Sequence, residues 1–125
     1  MIDFKNATYL KLKRVADTAF QGILAPMLIP EEFIVSSYQS IRDGVVFTNK
    51  RIIAINVQGI TGTKKDITSM PYSKVQVYSV ETAGLLDIDS ELEIWFSGVG
   101  KVRFEFRNNA NVSEICRLMS LYILK

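Results

Sequence analysis

Apolar and polar residues along this chain keep two different periods. From Tyr9 to Leu24 the apolar residues Tyr9, Leu12, Val15, Ala16, Ala19, Phe20 and Ile23 recur at helical spacing, with Lys11, Arg14, Asp17, Thr18 and Gln21 on the other side. That spacing predicts an amphipathic helix, ended by Gly22 and Pro26. From Glu32 onward the period falls to two. Strands are predicted at Glu32–Ile41, Val45–Thr48, Arg51–Gln58, Lys64–Met70, Lys74–Glu81, Glu91–Ser97 and Lys101–Arg107. Turn residues separate them: Asp43-Gly44, Asn49-Lys50, Gly59 to Gly62, Pro71, Ala83 to Asp89, and Gly98-Val99-Gly100. Asn49-Lys50 suits a tight antiparallel turn because asparagine tolerates positive φ. A second helix is predicted from about Ala110 to Leu124, capped by Asn109 or Asn111, with Val112, Ile115, Cys116, Met119 and Ile123 as one apolar stripe. Leu118, Leu121 and Leu124 widen its apolar surface beyond one face, which implies a further contact.

Two hairpins can be read in more detail. In the last one, Leu92, Ile94 and Phe96 alternate with charged residues and Trp95, as do Val102, Phe104 and Phe106 with Lys101, Arg103 and Glu105. Keeping both apolar sets on one face predicts Phe96 opposite Val102, a loop at Gly98-Val99-Gly100 with Gly100 left-handed, and Trp95 facing out opposite Arg103. In the hairpin from Val45 to Ile55, Val45, Phe47, Ile52 and Ala54 share one parity while Val46, Ile53, Ile55 and Val57 share the other. It is apolar on both faces, so its outer side is expected to lie under the N-terminal helix or a neighbouring subunit.

Composition narrows the function. The chain has 125 residues, enough for one core, with 15 Lys and Arg against 13 Asp and Glu. A net charge of +2 without a basic cluster demands no polyanionic partner. A basic face carrying exposed aromatics is missing too: Glu93 and Glu105 interrupt the one approach to it, Trp95 beside Lys101 and Arg103, so no nucleic acid is expected. There is no secretory h-region and no apolar run near the ~20 residues needed to span a bilayer. With a single cysteine, Cys116, a reduced cytoplasmic location is expected.

Catalytic and metal chemistry finds few residues to use. Without histidine, Ser-His-Asp triads, Cys-His pairs and His-bearing metal sites are excluded. Asp87-Ile88-Asp89-Ser90-Glu91 begins like a calcium loop, but Leu92 and Gly98 stand where Gly and a bidentate Glu are needed. Gly59-Ile60-Thr61-Gly62-Thr63-Lys64-Lys65 has the wrong glycine spacing for a P-loop and enters a strand. Lys64 and Lys65 read as a solvated strand edge, with a weak anion contact as the alternative. Glu91 and Glu93 face outward, where nothing separates their proton affinities. No catalytic residue, cofactor or metal is expected.

Three pieces, Val46-Phe47-Thr48-Asn49-Lys50-Arg51-Ile52-Ile53, Pro71-Tyr72-Ser73-Lys74-Val75 and Asp89-Ser90-Glu91-Leu92-Glu93-Ile94-Trp95, occur in an order that resembles the bacterial pleckstrin-homology-like domain family. The resemblance implies a barrel of seven antiparallel strands over residues 30–125 with a C-terminal capping helix, preceded here by a helical segment at 1–29. It implies a non-enzymatic module that forms homo-oligomers, often rings, and docks a protein partner of unknown identity. Thr48, Asn49, Lys50 and Arg51 form its signature hairpin; Val45, Phe47, Trp95, Leu118 and Leu121 are the expected assembly or partner surface. The connection Ile41-Arg42-Asp43-Gly44-Val45 is short, with one Arg offset by one Asp, so phosphoinositide recognition does not carry over. A membrane-surface role through Lys11–Arg14 or Leu85-Leu86 is the second, less favoured reading.

Overall fold

The computed structural model describes residues 1–5, 7–82, 89–107 and 110–124. The elements run β1 (Ala7–Val15), α1 (Gln21–Leu24), β2 (Ile34–Ser40), β3 (Asp43–Thr48), β4 (Arg51–Gln58), β5 (Lys64–Pro71), a 3-10 turn at Tyr72–Lys74, β6 (Val75–Glu81), β7 (Ser90–Phe96), β8 (Gly100–Phe106) and α2 (Val112–Ile123). Among the described residues the eight strands form one curled sheet in the order β5-β4-β3-β2-β1-β8-β7-β6. The strands expected from the period-two pattern are all present, with ends shifted by a residue or two.

The N-terminal helix is the main correction. Residues 7–15 are a strand at the middle of the sheet, antiparallel to β2 and parallel to β8, so the sheet is not wholly antiparallel. The register slips between Tyr9↔Phe104 and Leu12↔Phe106, with Lys11 at φ +53. This bulge puts Tyr9 and Leu12, three residues apart, on the same buried face, while Leu10 and Lys11 stay exposed. A bulged strand thereby copied the i, i+3 spacing of a helix. Among the described residues of this region, the α-helix is the four residues of α1.

The sheet buries apolar residues on both sides. Its concave face holds Leu12, Tyr38, Phe47, Ile52, Phe104 and Phe106, closed by Ile115, Leu118 and Met119 of α2. Asn111 caps α2 by accepting the Glu114 N–H at 3.1 Å, as one of the two asparagines was expected to do. On the outside, Val46, Ile53 and Ile55 lie under Phe20 and Leu24. The doubly apolar hairpin is therefore covered by its own chain.

Two turns differ from expectation. Asp43-Gly44 is not the β2–β3 turn: Ser40 pairs with Asp43 and Gln39 with Gly44, leaving Ile41-Arg42 as the loop. Gly44 is needed for packing instead, since a Cβ there would lie 2.5 Å from the Phe20 ring. In the last hairpin Phe96 pairs with Gly100 and Ile94 with Val102. The loop is thus Ser97-Gly98-Val99, with Gly98 at φ +74 as the left-handed residue and Gly100 at φ +140. A two-residue slip preserves facing, so alternation alone cannot detect it. The backbone of Phe4 decides it: its carbonyl accepts the Lys101 N–H at 3.0 Å and would lie 2.3 Å from a Cβ on residue 100.

Candidate functional site

The Thr48-Asn49-Lys50-Arg51 hairpin is a junction of hydrogen bonds. The Thr48 hydroxyl accepts the N–H groups of Lys50 and Arg51, each at 3.0 Å, and donates to Glu32 Oε2 at 2.7 Å. Asn49 bridges to the preceding segment, accepting the Phe33 N–H at 2.9 Å and donating to the Glu31 carbonyl at 3.0 Å. Arg51 grips Glu32 with two bonds of 2.9 Å and also donates to the Met27 carbonyl and Ser69 Oγ. The Glu32 side chain is wholly buried. Burial would raise its carboxyl, but bonds from Arg51, Thr48 and the Ile29 N–H outweigh that and hold it below the ordinary value. One expectation changes: Asn49 has no positive φ, and it and Arg51 tie the turn to residues 27–33. Lys50 alone of the four is exposed.

The expected assembly residues separate. Val45 and Phe47 are fully buried in the concave core, and Leu118 is 8% exposed beneath α2, so these three offer no surface. Sequence parity could not distinguish a stem covered from within from one awaiting a partner. Trp95 and Leu121 are exposed. Trp95 pairs with Lys101, whose ammonium sits 5.0 Å from the ring centroid, while Arg103 forks onto Glu91 instead. Glu93 pairs with Lys101 at 3.4 Å. Lys64 and Lys65 are exposed on β5, and the Lys65 ammonium donates to the Gly62 carbonyl. The Lys11–Arg14 segment lies in β1; Leu85-Leu86 and the start of the Asp87–Glu91 motif fall outside the described residues.

The sheet has two margins. Along β5 stand Lys64, Lys65 and Pro71, and the Met1 ammonium reaches Asp66 at 2.6 Å. Strand β6, Val-Gln-Val-Tyr-Ser-Val-Glu, carries no lysine or proline. Its Val77 is 54% exposed and pairs with Trp95 on the outer face. On the inner side the Tyr78 hydroxyl lies 2.8 Å from Ser120 Oγ of α2.

One end of the sheet carries residues the sequence reading passed over. Ile41 and Ile60 are fully exposed and Leu10 is 53% exposed, on three neighbouring segments. The signal was available: an isoleucine at a turn and another inside a glycine-flanked loop have no apolar neighbour to join.

Among the described residues the hollows bring together hydrogen-bonded groups and no paired acid and base. One of them, about 510 Å³, is lined by Tyr9, Asp43, Asn56 and Asp66 among others. Tyr9 donates to Asn56 Oδ1 at 2.9 Å and is pushed up to about 12 by burial, so it stays protonated. Asp43 accepts the Val57 N–H, and Asp66 the Thr68 hydroxyl. Among the described residues no three acidic or cysteine side chains gather as a metal site, and no helix is long and apolar enough to cross a membrane.

Comparison with known proteins matches residues 3–123 to the family described as Bacterial PH domain. The Bacillus subtilis (strain 168) uncharacterized protein YjqA is 38% identical over 108 residues, covering 85% of this chain and 86% of that one. A crystal structure of a family protein with a pleckstrin-homology domain from Shewanella loihica superposes with a TM-score of 0.79 at 34% identity, covering 91% of this chain and 98% of that one. A pleckstrin-homology domain from Shewanella amazonensis gives 0.67 at 36% identity, covering 89% and 90%.

Proposed function

Because the chain belongs to the bacterial PH domain family, we propose that it is a non-catalytic cytoplasmic module that assembles with copies of itself and docks a protein partner on the assembly. The observation that carries this reading is the difference between the two sheet margins. Exposed strand edges recruit further strands unless they are guarded by charge, proline or cover. The β5 margin has lysines and a proline as guards, whereas β6 has neither: its Val77 is exposed, its one charge is Glu81, and its one irregularity is the register shift between Val75 and Val77. A β6 margin in need of a cover, beside the exposed Val77 and Trp95, supports a contact with the next copy. The two margins differ, so the contact is head to tail, with Glu81 of one copy meeting the lysine-bearing side of the next. Contacts of that kind leave no free end only when they close into a ring.

Size-exclusion chromatography with light scattering tests the reading. At micromolar concentration the chain should elute at a multiple of the 14.1 kDa protomer mass. Val77→Lys, which sets a charge on the open margin, should give a monomer that stays folded by circular dichroism. A monomeric parent chain would refute self-assembly.

A further inference from the structure

Another hollow, of about 370 Å³, opens where the end of β5 meets the β7–β8 turn, and its lining is mostly apolar. Phe4 and Phe96 line it with their rings edge to face, the centroids 5.8 Å apart. Met70 and Pro71 of β5 line it as well, and so does the exposed Val99 of the turn.

The fold holds these walls in place without a ligand. The Phe4 carbonyl accepts the Lys101 N–H at 3.0 Å, and its backbone lies so close to Gly100 that a Cβ there would be 2.3 Å away. The Phe96 carbonyl accepts the Val99 N–H at 3.2 Å, which closes the turn beside its ring. Polar lining is sparse. The Ser69 hydroxyl already accepts from Arg51 Nη1 at 3.0 Å. Among the described residues that line the hollow, Lys74 is the one charge and no carboxylate is present. Lys74 is exposed, and it forms no ion pair with a described residue. An apolar hollow with few, well-placed polar groups is the usual make-up of a small-molecule site.

Size and chemistry narrow the ligand. At about 370 Å³ the hollow lies near the small end of such sites, roughly 300–1,000 Å³, which suits one or two rings and not a long acyl chain. Aromatic rings and a thioether favour an aromatic ring as their partner. An unpaired ammonium beside them favours a carboxylate. We propose that this hollow binds a small aromatic carboxylate, its ring against Phe4, Phe96 and Met70 and its charge on Lys74. Binding there does not require self-assembly, because one chain supplies every lining residue.

Titration of the full chain with phenylacetate, followed by NMR of its methionine methyl groups, tests it. The Met70 methyl should shift saturably, with a Kd of about 1 mM or tighter. The Met119 methyl, buried in the concave core, should stay in place. Phenylacetamide, which has the same shape without the charge, should bind about fivefold more weakly. Lys74→Gln should erase that preference. Val99→Asp, at an exposed turn, should weaken phenylacetate about fivefold and leave the amide unchanged. Phe4→Ala should weaken both ligands about tenfold, with circular dichroism showing that the variant is folded. Should Phe4→Ala fail to fold, Val99→Asp still decides. Ile41→Asn, at the other end of β3, should bind as the parent does. The proposal is overturned by the lack of a saturable Met70 shift up to about 10 mM, or by equal shifts at Met70 and Met119. Equal affinity of the parent for the acid and the amide would overturn it too, as would parent-like binding by a folded Phe4→Ala variant.

Discussion

Strand β3 begins and ends in two-residue turns that are built in opposite ways. At Asn49-Lys50, Thr48, Asn49 and Arg51 all bond to other parts of the chain, and the turn is anchored to a buried carboxylate. At Ile41-Arg42 a β-branched residue is held in a left-handed conformation with its side chain in water. The first turn is explained by the fold. The second costs stability without helping the fold. A recognisable motif therefore marked architecture.

The sharpest way to break this contrast is at Arg51. Arg51→Ala leaves the Glu32 carboxylate buried without its main partner, and should cost about 3–5 kcal/mol in urea unfolding. A loss under 1 kcal/mol would mean that the junction is not structural. Acid titration tests the same pair. The Glu32 carboxyl is held below its unfolded value, so its stabilisation is complete above that value, near pH 4.5, and is lost as the pH falls through the folded one. Unfolding free energy should drop on acidification below about pH 4.5, and Glu32→Gln should flatten that part of the profile. Asn49→Ala removes two bonds to residues 31–33 and should cost about 1–2 kcal/mol by thermal or urea unfolding. At the other turn the sign reverses. Ile41→Asn should stabilise the chain by about 1 kcal/mol, and a destabilised variant would show that Ile41 serves the fold after all.

Most of the fold was legible because its strands alternate cleanly and its turn residues separate them. Arg51–Gln58 was read with its observed ends, as a stretch with apolar residues on both faces still bounded by turn signals. The N-terminal strand was not legible, because the bulge at Leu10-Lys11 gave Tyr9 and Leu12 a helical spacing. Asp43-Gly44 misled for a related reason: the glycine serves the Phe20 ring and not a turn. Of the candidate surface, Trp95 was placed outward by alternation alone. Val45, Phe47 and Leu118 could not be placed, since burial by the chain's own distant residues leaves no local trace.

By itself the sequence determined the period of the seven strands from β2 onward, the pair of asparagines from which α2 draws its cap, the absence of histidine chemistry and the hairpin that identifies the family. These depend on neighbours within a few residues, where local geometry and side-chain type suffice. Only the tertiary structure decided that β1 lies between β2 and β8, that Phe20 and Leu24 cover the outer face of β3–β4, and which side chains remain in water. Those outcomes depend on contacts between residues far apart in the chain, and such contacts have no period to read.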